Sequence, residues 1–123
     1  MSNPSEKTRY SDNELEEFRV LIEDKLEKAR QQLDFYRQQL SDRADSGDAK
    51  VRGLDDGIGT AENERITNMA TRQEKHIKHL ENALIRIENK VYGICRETGK
   101  LISKERLRAV PHATLSIEAK QNR

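Results

Sequence analysis

Apolar residues return along this chain at regular intervals. Ala70, Ile77, Leu84 and Val91 fall seven residues apart, and Ile66, Gln73, Leu80 and Ile87 form a parallel row offset by four. The two rows predict one apolar seam on a helix from Ile66 to Val91, with Arg, Lys, Glu, Asn and His between them. Upstream, Leu15, Phe18, Ile22, Leu26, Ala29, Leu33, Tyr36 and Leu40 recur at spacings of three and four, which predicts a second amphipathic helix. Ser11 followed by Glu14 has the form of a capping box and starts it. So narrow a seam needs a partner. Two such helices joined by one connection fold back most simply as an antiparallel two-helix coiled-coil hairpin over residues 11–91. About thirty residues rising ~1.5 Å each give a rod of about 45 Å. Gln73 breaks the seam, either fixing register or marking a frayed end.

The connection, about residues 41–60, holds Gly47, Gly53, Gly57 and Gly59 with five aspartates, a composition that predicts a loop at the tip of the hairpin. Asp55 and Asp56 are its most concentrated acidic point. They read either as a solvated turn or as a carboxylate pair held out toward a metal ion or a basic site on another molecule. Residues 1–10 read as a polar tail with nothing to bury. After Val91 the pattern changes. Cys95 to Ile102 has the form of a tight turn at Gly99 between short extended runs, Ser103 opens a helical turn closed by Pro111, and a last short helix starts at about Ser116. Residues 92–123 are too few for a core of their own, so they must pack on the hairpin or carry a staple.

Composition narrows the class. A chain of 123 residues is one domain's worth, and 37% charged against 33% apolar with no Trp excludes a large globular core. The net charge of +1 predicts no bulk attraction to nucleic acid or membrane. One cysteine excludes an internal disulfide, and no apolar run suits a signal peptide or a membrane span, so the expected location is cytoplasmic. The charge is uneven: Asp42 to Glu62 carries six acids against three bases, and Arg96 to Arg123 seven bases against three acids.

Small terminal modules are often stapled by zinc through paired Cys-x-x-Cys knuckles. Here the knuckle positions read Cys95 with Thr98 and Ser116 with Ala119, and one thiolate does not hold structural zinc, so none is expected. His76 and His79, three apart, read as exposed helix histidines and His112 is unplaced. Cys95 reads as a small buried apolar residue rather than a nucleophile. No glycine-rich phosphate loop, nucleophile elbow or metalloprotease helix occurs, so the chain is read as no enzyme.

Tyr92-Gly93-Ile94-Cys95, then Gly99, Ile102, Arg106-Leu107, Ala109, Pro111 and Ala113, together with the helix Leu80 to Val91, resemble the DksA/TraR family of bacterial transcription regulators over about residues 76–120. The resemblance implies a zinc-finger-like terminal module, here lacking the zinc ligands. It also implies a monomeric protein that binds RNA polymerase, entering its secondary channel with the coiled coil and modulating initiation with ppGpp. Asp55 and Asp56 become the residues facing the polymerase active site, although Leu54-Asp55-Asp56-Gly57 lacks the Pro and Ala of the family's tip. Among the family's ppGpp-contacting positions Arg72 and Lys120 keep the base, while His79 and Val110 replace one. Without zinc, Leu101, Ile102, Leu107, Leu115 and Ile117 are expected to hold the module. Two other functions use the same seam: a structural coiled-coil dimer or adaptor, and a channel-binding factor acting on transcript cleavage. Sequence-specific DNA binding is not expected, since the basic end offers only Tyr92 for stacking and no recognition-helix pattern.

Overall fold

Ser11 begins the first helix with a reciprocal pair of bonds. Its N–H donates to Glu14 Oε1 at 2.9 Å, and the Glu14 N–H donates to Ser11 Oγ at 3.2 Å. The computed structural model describes residues 8–45 and 57–122, with side chains for 8–43 and 61–122. Its elements are α1 (Asp12–Asp45), α2 (Gly57–Glu88), α3 (Lys104–Ala109) and α4 (Ile117–Gln121). The chain is mainly helical, and the described residues hold no strand beyond one isolated antiparallel bridge, Ile94 with Leu101. Both long helices reach further into the connection than its glycines suggest. Gly57 and Gly59 stand in the first turn of α2, where amide groups have no intrahelical partner to lose.

The chain divides into two compact units, one of residues 1–26 with 79–123 and the other of 27–78. In the second unit Ala29 and Leu33 of α1 and Ile66 and Ala70 of α2 are buried. The helices there run antiparallel, with Arg37 Nη2 at 2.9 Å from Glu74 Oε2. Tyr36, Met69, Gln73 and Ile77 are half-buried, and Gln73 Oε1 is enclosed without a hydrogen-bond partner.

The first unit carries the larger core. Leu15, Phe18, Ile22 and Leu26 on α1 and Leu80, Ala83 and Ile87 on α2 are buried with Tyr92, Cys95, Ile102, Leu107, Ala113 and Ala119 of the terminal module. Antiparallel pairing recurs, Lys90 Nζ lying 2.8 Å from Asp12 Oδ1. The seam is displaced at its end: Ala83 is buried, Leu84 is half-buried and Val91 is 47% exposed. For Val91 the reason is a helix stop at Glu88. Lys90 takes φ 62°, its N–H donates to the Ile87 carbonyl, and the Val91 N–H reaches back to the Arg86 carbonyl, each at 3.0 Å. That pair of bonds is a Schellman cap, made with lysine where glycine is usual.

Tyr10, the last residue of the segment read as a polar tail, belongs to the core. Tyr10 is 4% exposed, its ring centroid lies 5.7 Å from that of Phe18, and its hydroxyl donates to the Ile102 carbonyl. Burial raises the Tyr10 hydroxyl above its usual pKa, against the opposing pull of Lys104. Gly93 makes room for it. A Cβ built there would meet Tyr10 Cε2 at 2.7 Å, and φ is +81°.

Candidate functional site

The terminal module is built around the four knuckle positions. The Cys95 N–H donates to the Lys100 carbonyl and the Gly99 N–H to the Cys95 carbonyl, both at 2.8 Å, so the turn closes with Gly99 at φ +73°. The Ile102 N–H donates to the Gly93 carbonyl at 2.7 Å, and the Arg96 N–H to the Thr114 carbonyl at 2.9 Å, which ties the turn to the segment before α4. Ser103 caps α3, accepting from the Arg106 N–H at 3.2 Å. Ser116 caps α4, its Oγ accepting from the Ala119 N–H at 3.1 Å.

These bonds use the knuckle positions without a metal. The Ser116 N–H points at Cys95 Sγ, 3.4 Å away, and the Thr98 Oγ1 accepts the Lys100 N–H at 3.2 Å. Cys95 is 1% exposed, as a small buried residue should be. Its thiol is nevertheless pulled down to about 6, first by the Thr98 hydroxyl and then by backbone N–H groups of Ser116, Thr98 and Glu97, against the opposing effect of burial. The donor set does not fit structural zinc. Ala119 offers only a buried methyl, and the Ser116 and Thr98 oxygens already accept backbone N–H groups.

The packing that holds the module differs from the expected set. Ile102 and Leu107 are fully buried, Leu101 and Leu115 are half-buried, and Ile117 is 52% exposed. Aromatic residues supply the difference: Tyr92 is fully buried 5.3 Å from the Phe18 ring, and its hydroxyl donates to the Pro111 carbonyl at 2.7 Å. Burial raises that phenol far above its usual value. Tyr92 is therefore unavailable to stack on a base. Two further ties hold the module: Arg106 Nε donates to the Leu115 carbonyl at 2.8 Å, and Lys104 Nζ lies 2.6 Å from Glu14 Oε2.

His112, unplaced by the sequence, stacks on His79. The ring centroids are 5.2 Å apart and nearly parallel at 10°. Arg86 Nη2 donates to the His112 carbonyl at 3.4 Å, and burial lowers the Arg86 guanidinium from its usual value. No periodicity joins residues 79 and 112, so only the fold brings them together. Lys120 is exposed on α4 in this unit, and Arg72 is exposed in the other. Asp55 and Asp56 lie outside the described residues. Among the described residues no group of three or more His, Cys, Asp or Glu is placed to hold a metal ion, and no helix is long and apolar enough to cross a membrane.

The chain is similar to known proteins. A family model described as the prokaryotic dksA/traR C4-type zinc finger matches residues 90–122. The RNA polymerase-binding transcription factor DksA of Caulobacter vibrioides is 32% identical over 125 residues, covering 96% of this chain and 82% of that protein. General stress protein 16O of Bacillus subtilis is 33% identical over 63 residues, 50% of this chain and 39% of that one. Among solved structures, transcription factor DksA2 from Pseudomonas aeruginosa superposes with a TM-score of 0.74 at 27% identity, over 88% of this chain and 81% of that one.

Proposed function

The chain belongs to the DksA/TraR family, and on that footing we propose that it is a non-enzymatic transcription regulator that acts by binding RNA polymerase. The observation that carries this is identity to a protein named for polymerase binding that runs through 96% of the chain, so that both long helices are included with the module. In this reading the paired helices enter the secondary channel and modulate initiation. Asp55 and Asp56 are the residues that face the polymerase active site, where carboxylates engage magnesium or basic side chains. Arg72 and Lys120 supply cations for ppGpp as a co-regulator. The protein works as a monomer, without sequence-specific contact to promoter DNA. The module holds without zinc in this reading, which the Ser116 N–H on Cys95 Sγ, the Ser116 cap on α4 and the packing of Tyr92 on Phe18 support.

Co-purification with core RNA polymerase, followed by transcription from a ribosomal promoter with and without ppGpp, tests the reading. Wild type is expected to bind and to change initiation. The double variant Asp55→Asn, Asp56→Asn is expected to bind and leave initiation unchanged. A chain that does not bind core enzyme overturns the function, and a double variant with full effect removes the two aspartates from the mechanism.

A further inference from the structure

Phe35 is 56% exposed on α1, and its ring lies 6.0 Å from that of Tyr36. Its neighbours on the helix surface, three and four residues away on either side, are Gln31, Gln32, Gln38 and Gln39. In a chain that is 37% charged, this face holds no charge over about two turns. Val20 makes the comparison sharp. It is just as exposed, at 55%, but its neighbours at the same spacings are Glu16, Glu17, Glu23 and Asp24. Ile85, exposed to 56%, has Glu81 and Glu88 beside it.

An aromatic anchor ringed by neutral hydrogen-bonding side chains has the composition of an interface centre, where charge is depleted and aromatics are enriched. Its chemistry selects the partner. With no cation among these neighbours the face does not attract phosphate, and the carboxylate that adjoins it, Asp42, is bonded to Gln38 and is by itself too few ligands for a metal. A second copy joined only here would not hold, because a fully buried Phe covers roughly 150–250 Å² and a stable protein interface needs about 800 Å² on each partner. The face therefore serves a protein that is already engaged by other parts of the chain.

We propose that Phe35, framed by Gln31, Gln32, Gln38 and Gln39, is a docking surface for RNA polymerase, received by an uncharged apolar hollow on the enzyme; this rests on the polymerase-binding reading above. The glutamines hydrogen-bond around the ring and exclude water from it. Gln38 is already oriented, its Nε2 donating to Asp42 Oδ1 at 2.9 Å.

The test is binding of the full-length chain to immobilised core RNA polymerase by biolayer interferometry, with helix content followed by circular dichroism. Phe35→Ala is expected to weaken binding about tenfold, Phe35→Lys to weaken it further, and Val20→Ala to stay within about twofold of wild type, all with unchanged helix content. Wild-type affinity in Phe35→Ala overturns the docking surface while leaving polymerase binding intact. Failure of wild type itself to bind overturns the reading beneath it. A concentration-dependent dimer that Phe35→Ala abolishes overturns the proposal in favour of a second copy.

Discussion

Removing the Tyr10 side chain tests whether a residue ahead of α1 is part of the core. Two contributions separate. Tyr10→Phe keeps the ring against Phe18 but deletes the donor to the buried Ile102 carbonyl, at a cost of about 1–2 kcal/mol for the lost bond and the acceptor left behind. Tyr10→Ala also deletes the ring, which is 4% exposed and lies over Gly93, and large-to-small aromatic changes in a core cost about 3–5 kcal/mol. A domain of this size holds only about 5–15 kcal/mol in total, so Tyr10→Ala should remove about a fifth or more of its stability. Thermal and urea unfolding followed at 222 nm checks both. At about 4 °C per kcal/mol, Tyr10→Phe is expected to lower Tm by about 4–8 °C and Tyr10→Ala by about 12–20 °C, with the same values in EDTA and in zinc. A Tyr10→Ala protein within about 1 kcal/mol of wild type would refute the claim that this ring packs the module.

Three further outcomes follow from the same geometry. The Cys95 thiol, lowered to about 6, should show thiolate absorbance at 240 nm developing near pH 6 while its burial keeps reaction with a disulfide reagent slow. Because the folded pKa lies below the unfolded one, its stabilisation is complete above about pH 8.5, falls with pH and is gone below about pH 6. Wild type should therefore lose stability over that window relative to Cys95→Ala, and parallel pH profiles would exclude the effect. Gly93→Ala should cost far more than Gly99→Ala in urea unfolding, since both have positive φ but only Gly93 has an atom within 3.0 Å of the added carbon. Gly99→Ala should cost about 1 kcal/mol, and equal losses would contradict this. Gln73→Leu should stabilise the chain by about 1–3 kcal/mol by removing an enclosed acceptor without a partner; a loss of stability would show that Gln73 is satisfied in solution.

How much of this was legible beforehand depends on how local each signal is. The apolar rows located both long helices, and Ser11, Ser103 and Ser116 marked three helix starts, because capping acts over three residues. The stop at Glu88 was hidden: lysine at the left-handed position carries none of the signal of glycine, so the seven-residue row was carried on to an exposed Val91. Tyr10, Phe18 and Tyr92 escaped as a cluster because positions 10, 18 and 92 share no common period, and only the folded chain joins them. The knuckle positions were readable as lacking zinc ligands, since that follows from side-chain chemistry alone. That Ser116 would turn from ligand position to helix cap, with its N–H on Cys95, required the backbone. The His79–His112 pair belongs to the same class of long-range contact.

A metal-free family member that binds polymerase is the centre of this account, and equilibrium binding to core RNA polymerase of protein refolded and kept in EDTA tests it most directly. The expected result is saturable one-to-one binding with an affinity that added zinc does not change. Absence of binding, or binding that appears only when zinc is supplied, would contradict it.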